Sequence, residues 1–383
     1  MTHSSFRLIN GFCLFLIILF FSKGVFAFET SAKQAILVDF ETGKVLYEKN
    51  STERMGPSSM TKIMTAYMIF DALKKGEYDL DSKFLISKRA WKTGGSRMFL
   101  DVNDNVSLSD LIQGIIVQSG NDACVALAEG FSGSVETFSE EMNEKAGEMG
   151  MNDTNFVNPD GLPDDNHYST AHDLSILARN IIRQFPEFYH YFSQKEFTYN
   201  KIRQQNRNTL LNNLALGVDG LKTGHTEAAG YGIVISAAKN DLRLVGVVNG
   251  LTSSGKRIEA AQQLLSYGFV NFKNIKVFEK GEVVEAAKVW GGKERNISAV
   301  LKDDLYILTN RRKNSRPEYK FIAKFKEPIS APIKKGQEIG VLDVFEADEK
   351  INSVKLYAEK DIDEANMLRK IIDKFKLFVS EKI

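Results

Sequence analysis

Residues 57–65 read PSSMTKIMT, and apolar residues recur at helical spacing from residue 60 to residue 73, which predicts a helix. Ser59 lies in the first turn of this helix, and Lys62 projects from the same face one turn later. Backbone N–H groups at the start of a helix are unpaired and can stabilise a developing oxyanion. The segment therefore predicts a hydroxyl, an amine and free backbone donors at one point.

The pairing of Ser59 with Lys62 has a chemical rationale. A serine hydroxyl is a weak nucleophile at neutral pH and needs a base beside it. Lysine can be that base only when burial or a second cation depresses its pKa, and Lys222 is a candidate for the second cation. The alternative for Ser59 is a helix-capping serine, which is common at this position.

The short motifs Ser-x-x-Lys and Lys-Thr-Gly each occur more than once in the chain, so the surrounding sequence must show which copy is functional. Ser-x-x-Lys recurs at Ser236/Lys239 and at Ser253/Lys256. The first pair runs from a strand pattern into a polar turn, and the second lies in a Ser/Gly loop, so their side chains are not expected to converge. Lys-Thr-Gly recurs at residues 92–94, in a loop without a strand pattern, and is interpreted as coincidence.

Ser119-Gly120-Asn121 interrupts an otherwise apolar helical region over residues 108–130. Glycine costs about 1 kcal/mol inside a helix, so a simple turn between two helices is one interpretation. The other is a turn that points a hydroxyl and an amide into a cleft.

Lys222-Thr223-Gly224 lies on a predicted strand, residues 218–225, that leads into a hairpin. A strand edge can pair with an extended peptide, and Gly224 permits close approach of another backbone. Lys222 and Thr223 can hold a carboxylate there.

The order of the patterns predicts two domains and a terminal helix. Strands at both ends of residues 28–270, with helices between them, predict a sheet built from distant segments with helices packed on it. Short alternating runs over residues 275–357 predict a small all-β domain. Predicted strands cover residues 35–40, 45–47, 218–225, 231–238, 242–248, 286–290, 297–301, 305–308, 319–325 and 351–356, and predicted helices cover 60–73, 108–130, 135–149, 174–183 and 257–267.

Composition narrows the class of protein. A chain of 383 residues with a formal net charge of +1 lacks the basic excess that a nucleic-acid partner demands. Cys13 lies in the N-terminal apolar run and Cys124 is alone in the remainder, so no intramolecular disulfide is expected after that run is removed. Five scattered histidines make a zinc centre unexpected, and no metal site is predicted.

The N-terminus has the pattern of a signal peptide over residues 1–27. Arg7 precedes an apolar run over residues 12–21, and Val25-Phe26-Ala27 fits a small-residue cleavage site. An uncleaved anchor is the alternative, although a bilayer span needs about 20 residues. We expect an exported protein that starts at Phe28.

Residues 361–383 predict an amphipathic helix. Its apolar face carries Leu368, Ile371, Ile372, Phe375, Phe378 and Val379, and its other faces carry Arg369, Lys370, Lys374 and Lys376. A basic amphipathic helix at the end of an exported chain can lie in a membrane interface. The alternatives are a helix docked on its own β domain and a dimer contact.

Taken together, the motifs resemble those of penicillin-binding proteins and serine β-lactamases, with SMTK at 59–62, SGN at 119–121 and KTG at 222–224 in the same order. Their surroundings are similar to the low-molecular-mass D,D-carboxypeptidases of the penicillin-binding protein 5 type, peptidase family S11. The segments that carry this likeness are QSGNDACVALA at 118–128, IRQQNRN at 202–208, VDGLKTGHTEAAGY at 218–231 and APIKKGQEIGVL at 331–342. The resemblance covers nearly the whole chain.

The resemblance implies an α+β fold: a β-lactamase/transpeptidase-like catalytic domain, with an antiparallel sheet and helices, then a small all-β domain and a C-terminal amphipathic helix. It also implies a role for each motif residue. Ser59 would be the acylated nucleophile and Lys62 its base, with the N–H groups of Ser59 and His225 forming the oxyanion hole. The remaining residues would bind substrate or relay protons: Ser119, Asn121, Lys222, Thr223, Gly224, and two arginines near the substrate's terminal carboxylate, Arg207 and Arg257.

The implied activity is that of a D-alanyl-D-alanine carboxypeptidase that trims peptidoglycan stem peptides through an acyl-enzyme and is acylated by β-lactams. No cofactor is expected, and the location would be periplasmic, on the outer face of the cytoplasmic membrane. Three alternatives are open. The first is a class A β-lactamase, which usually carries Asp where this chain has Gly120, together with a deacylating glutamate. The second is a D,D-endopeptidase, which generally lacks the second domain. The third is a non-catalytic wall-binding scaffold, which would not need every motif position filled.

Overall fold

The structure is a computed structural model that describes residues 28–311 and 318–380. The predicted signal peptide, residues 1–27, lies outside the described residues and stays a prediction. Among the helices that the structure describes, none has the length and apolar character that crossing a membrane requires.

The first part of the chain alternates short strands with helices before three long strands and a closing helix. In chain order the elements are β1 Gln34–Asp39, β2 Val45–Lys49, α1 Lys62–Lys75, β3 Lys83–Leu85, α2 Lys88–Lys92, β4 Asn105–Ser107, α3 Leu108–Gln113, α4 Asn121–Ser132, α5 Val135–Glu148, α6 Ala171–Gln184, β5 Glu196–Tyr199, β6 Ile202–Gln205, β7 Val218–Thr226, β8 Gly230–Lys239, β9 Leu242–Leu251 and α7 Ser254–Asn271.

A five-stranded antiparallel sheet organises this part, with the strand order β2-β1-β9-β8-β7. Because successive side chains of a strand point to opposite faces, β1 contributes to both sides of the sheet. Ile36 and Val38 enter the core that α1 and α6 cover, whereas Ala35 and Leu37 enter the core that α7 covers. The prediction of a sheet built from distant segments is confirmed, and β7 lies at one edge of it.

The helical region predicted over residues 108–130 is broken in the structure. Helix α3 ends at Gln113, a π-helical turn follows over Gly114–Gln118, and α4 begins at Asn121. Between them Ser119 adopts the left-handed conformation with φ 67°, which costs free energy for a residue with a Cβ. The motif is therefore a sharp turn between two helices.

The predicted start of the Ser59 helix also differs in detail. Residues Ser58–Thr61 form a separate 3-10 turn, and the α-helix begins only at Lys62. Thr170 caps the start of α6, because its Oγ1 accepts the Asp173 N–H at 3.0 Å. The Asp173 carboxylate accepts from Asp153 N and Thr154 Oγ1, which holds the preceding loop on the helix.

The second part of the chain is rich in β-structure, as predicted, and closes with one helix. The elements are β10 Phe272–Phe278, β11 Val283–Trp290, β12 Asn296–Val300, β13 Leu305–Asn310, β14 Tyr319–Phe325, β15 Ile329–Ser330, β16 Glu338–Glu346, β17 Glu349–Ala358 and α8 Met367–Ser380. A six-stranded sheet has the order β14-β16-β17-β12-β11-β15, and a two-stranded sheet pairs β10 with β13. Aliphatic side chains from these strands form one buried cluster of their own.

The C-terminal helix is shorter than the predicted range of residues 361–383. Ile362 is buried in the β domain, and its backbone exchanges hydrogen bonds of 2.9 Å with Ile333 in both directions. The residues before Met367 therefore complete the β domain, and the helix starts after them. The end of the predicted range, residues 381–383, lies outside the described residues.

Candidate active site

The 3-10 turn that carries Ser59 is held between a loop and the edge strand β7. A Cβ on Gly161, which has φ +80°, would lie 1.9 Å from the Ser58 carbonyl oxygen, so only glycine fits there. On the other side, a Cβ on Gly224 would lie 3.0 Å from the Pro57 carbonyl oxygen. Glycine in the Lys-Thr-Gly segment thus lets β7 approach the turn, as the sequence predicted.

Lys62 is fully buried beneath Ser59. Its Nζ lies 3.1 Å from Ser59 Oγ, 2.7 Å from Asn121 Oδ1 and 2.5 Å from the Asp160 carbonyl oxygen. Burial lowers the pKa of Lys62, and this effect exceeds the opposing attraction of the Asp160 carboxylate. Desolvation disfavours the charged form of an amine, so burial shifts the lysine next to the hydroxyl toward its uncharged form.

Lys222 brings a second buried amine to the site from β7. Its burial, followed by repulsion from Lys62 and Arg207, lowers the pKa of Lys222 well below the ordinary lysine value. Two buried amines that repel one another cannot both keep their protons easily. The arrangement therefore disfavours a doubly charged pair.

The Ser119-Gly120-Asn121 turn delivers one amide and one hydroxyl to the site. The Asn121 side chain accepts from Lys62 through Oδ1 and donates through Nδ2 to the Gly94 carbonyl oxygen at 2.8 Å. Ser119 Oγ is buried and has no hydrogen-bond partner within the described ranges. An unpaired buried hydroxyl is costly, and it is available here to a bound substrate.

Residues 94–100 form one wall of the site, which the sequence did not predict. The second Lys-Thr-Gly, residues 92–94, is not a second catalytic motif, but its Gly94 carbonyl holds Asn121, and the Ser96 carbonyl accepts the Asn121 N–H at 2.8 Å. The buried Asp122 carboxylate then accepts the backbone N–H groups of residues 98–100 at 3.0–3.2 Å. The acidic residue directly after Asn121 was the available signal for this wall.

A cavity of about 740 Å³ opens above these groups. Lys62 and Lys222 lie under its floor, and neither Ser236 nor Ser253 lines it. It is lined by Ser59, Gly95, Ser96, Arg97, Phe99, Gln118, Ser119, Asn121, Asp160, Gly161, Leu162, Arg207, Thr223, Gly224, His225, Thr226, Tyr231, Ser254 and Arg257. The structure thus brings all ten candidate residues to one place.

The two arginines give one end of the cavity a positive charge. Arg257 is buried, and burial together with the nearby Arg207 guanidinium lowers the pKa of Arg257 to about 10. Its Nη2 donates to Ser254 Oγ at 3.2 Å. Neither arginine forms an ion pair with an acidic side chain of residues 28–311 or 318–380, so both are available to a carboxylate that enters the cavity.

His167 is a further residue that the sequence did not reveal. Its Nδ1 accepts the Val157 N–H at 3.1 Å, so Nε2 carries the proton and donates to Thr61 Oγ1 at 2.8 Å. Burial lowers the pKa of His167 to about 4. A neutral imidazole therefore ties the 3-10 turn to the loop that follows α5. No pattern in the sequence marked it.

Cys124 lies behind the site on α4. Burial raises the pKa of the Cys124 thiol to about 12, and the nucleophilic form of cysteine is the thiolate. This residue therefore packs as a small apolar group. Within the described part of the chain, no three His, Cys, Asp or Glu side chains converge as metal ligands.

Comparison with known proteins identifies the family. The chain matches the D-alanyl-D-alanine carboxypeptidase family, Peptidase S11, over residues 22–253, and the family "Penicillin-binding protein 5, C-terminal domain" over residues 272–364. A D-alanyl-D-alanine carboxypeptidase, DacA, from Haemophilus influenzae is 40% identical over 91% of this chain and 90% of its own length. The chain belongs to the family of S11 D-alanyl-D-alanine carboxypeptidases.

Solved structures agree with that assignment. Penicillin-binding protein 5 from Haemophilus influenzae is 39% identical and superposes with a TM-score of 0.77 over 89% of this chain and 100% of its own. Penicillin-binding protein D2 from Listeria monocytogenes, solved in its ampicillin-bound form, is 30% identical with a TM-score of 0.58 over 63% of this chain and 99% of its own. The α+β fold and its two-domain order are thereby confirmed.

We expect His167 to make the stability of the fold depend on pH. Its pKa is about 4 in the folded chain and about 6.5 in an unfolded one, so the folded state binds fewer protons between these values. Stability is complete above pH 6.5 and falls by about 3 kcal/mol as the pH drops through 4. Urea unfolding at pH 7.5, 5 and 4 measures this.

The matched variants are His167→Gln and His190→Gln, since His190 is an exposed histidine of the same domain. The first should flatten the fall in stability between pH 6.5 and 4, and the second should leave it as in the wild type. Equal pH dependence in all three proteins would contradict the role given to His167.

Proposed function

We propose that this chain removes the terminal D-alanine from peptidoglycan stem peptides through an acyl-enzyme on Ser59. The observation that carries the proposal is the contact of 3.1 Å between Ser59 Oγ and the buried Lys62 Nζ, at the floor of a cavity bordered by an edge strand. An uncharged lysine at this distance can accept the serine proton as the hydroxyl attacks a carbonyl.

In the first step Ser59 Oγ attacks the carbonyl carbon between the two terminal D-alanines, and Lys62 takes the serine proton. The oxyanion accepts hydrogen bonds from the backbone N–H groups of Ser59 and His225. The carbon–nitrogen bond then breaks, and D-alanine leaves with a proton that Ser119 relays from Lys62. Water hydrolyses the ester in the second step and restores the serine.

The shape of the cavity supports a peptide substrate. Strand β7 is an edge of the catalytic sheet, so an extended peptide can pair with its free side next to Thr223 and Gly224. The Asn121 amide, already held by Gly94, can bind a substrate amide. Arg257 and Arg207 lack acidic partners within the described ranges, and they fit the terminal carboxylate of D-alanine.

β-Lactams use the same groups. A strained lactam amide takes the place of the scissile peptide bond, and its carboxylate takes the place of the D-alanine carboxylate. The Listeria relative with ampicillin bound supports this proposal. The ester formed on Ser59 then labels the protein.

Ser59→Ala should abolish labelling by fluorescent penicillin, because Ser59 Oγ is the one cavity hydroxyl of the described residues that is hydrogen-bonded to Lys62 Nζ. Ser236→Ala is the control, since it removes the serine of a competing Ser-x-x-Lys outside the cavity and should label like the wild type. Mass spectrometry after labelling reports the acylated residue. Labelling that persists in the Ser59→Ala protein would rule out Ser59 as the nucleophile.

The C-terminal helix supports a further proposal, that the exported protein lies on the outer face of the cytoplasmic membrane. Asp373 Oδ2 accepts the Gly291 N–H at 3.0 Å, and Arg369 donates to the Lys293 carbonyl oxygen at 3.2 Å. These contacts fix a polar side of α8 on the β domain.

The opposite side of α8 is apolar and open. Met367 is 80% exposed, and Leu368 and Phe375 are each 70% exposed. A helix fixed by its polar side therefore presents its apolar side to a bilayer, where such a face is stable. The side chains of Phe378 and Val379 lie outside the described residues.

Replacing Leu368, Ile371 and Phe375 together by serine should release the protein from sedimenting vesicles of phosphatidylethanolamine and phosphatidylglycerol. The control replaces exposed apolar residues elsewhere, Leu85 and Leu214, and should sediment like the wild type. Penicillin labelling should be intact in both proteins. Full sedimentation of the first variant would contradict membrane binding by α8, and a change of oligomeric state without loss of sedimentation would favour a dimer contact.

A further inference from the structure

One aromatic ring connects two of the groups that line the cavity. His225 and Tyr231 are directly opposite one another on β7 and β8, and their rings stack with centroids 3.8 Å apart and an angle of 29° between the planes. The guanidinium carbon of Arg257 lies 5.7 Å from the centroid of the same Tyr231 ring. All three side chains line the cavity.

The side chain of Arg257 has few other contacts that fix its conformation. The arginine belongs to the first turn of α7, is only 5% exposed and has no acidic partner within residues 28–311 and 318–380. One hydrogen bond to Ser254 restrains it, while its buried Nε has no partner in the described chain. A long side chain loses up to about 2 kcal/mol of rotamer entropy when it is fixed. Tyr231 supplies a surface that reduces the number of arginine conformations before substrate binds.

We propose that Tyr231 is a positioning residue that gives this site its selectivity for peptides ending in a free carboxylate. It acts through Arg257, whose guanidinium it holds by a cation–π contact, and it keeps the adjacent His225 backbone in register through the cross-strand ring pair. The proposal rests on the carboxypeptidase function proposed above and deepens it. The alternative is that the ring pair only stabilises the β7–β8 hairpin.

The test compares two substrates in the full-length protein. One is an Nα-acylated peptide ending in D-Ala-D-Ala with a free carboxylate, and the other is the same peptide with a C-terminal amide. The ratio of their kcat/KM values measures selectivity for the carboxylate. Replacing Tyr231 with isoleucine, a β-branched residue that suits a strand, should lower this ratio roughly 5- to 30-fold, the equivalent of about 1–2 kcal/mol of lost cation–π support.

Most of this loss should lie in KM for the free acid, with a smaller change in kcat. Tyr231→Phe keeps the ring and should retain the ratio. In the double variant Tyr231→Ile with Arg257→Gln, the ratio should fall no further than in Arg257→Gln alone, because Tyr231 acts through that arginine. If Tyr231→Ile does not fold, Tyr231→His, with a smaller ring, should give an intermediate ratio.

The possible results distinguish the positioning role of Tyr231 from the proposed carboxypeptidase function. An equal loss of kcat/KM for both substrates in Tyr231→Ile, or an additive loss in the double variant, overturns the positioning role while the carboxypeptidase function stands. A wild-type protein that cleaves acid and amide equally well also overturns it. A wild-type protein that is labelled by penicillin but cleaves neither peptide removes the proposed function and this inference together.

Discussion

The chemistry of the site depends on the burial of one lysine amine. Lys62 Nζ is surrounded by Ser59 Oγ, Asn121 Oδ1 and the Asp160 carbonyl within 3.1 Å, and an amine without water around it loses much of its preference for a proton. In an ordinary core a charged lysine without a partner would be unfavourable. Burial at this point therefore lowers the pKa of Lys62 at a cost in stability.

Three segments that are distant in the sequence meet around that amine because of the sheet. Strand β1, near the start of the described chain, pairs with β9 near the end of the catalytic domain, so the helices between them pack on one face of the sheet. This places the 3-10 turn, the break before α4 and the edge strand β7 side by side. Glycine at position 161 then permits a contact that a Cβ would prevent, and glycine at position 224 avoids a tight contact of 3.0 Å with the turn.

Much of this could be predicted from the sequence, because the strand and helix patterns of both domains are regular and the three motifs resemble those of a known family. What the sequence does not reveal lies where local patterns carry no information on tertiary contacts. Residues 92–94 are not a catalytic motif, but the carbonyl of Gly94 accepts a hydrogen bond from Asn121, which no local pattern shows. No residue near His167 in the sequence reveals its hydrogen bond with Thr61. Ile362 falls within the predicted terminal helix, but it completes the β domain.

The most direct test of the central claim is an NMR titration of the Lys62 side chain in protein labelled with 13C at the lysine ε-carbons. The signal is assigned by its absence from a Lys62→Arg variant. We expect a titration midpoint clearly below 10.5, the ordinary value for lysine, because burial disfavours the charged amine. A Lys62 that stays protonated up to its ordinary pKa would contradict the account.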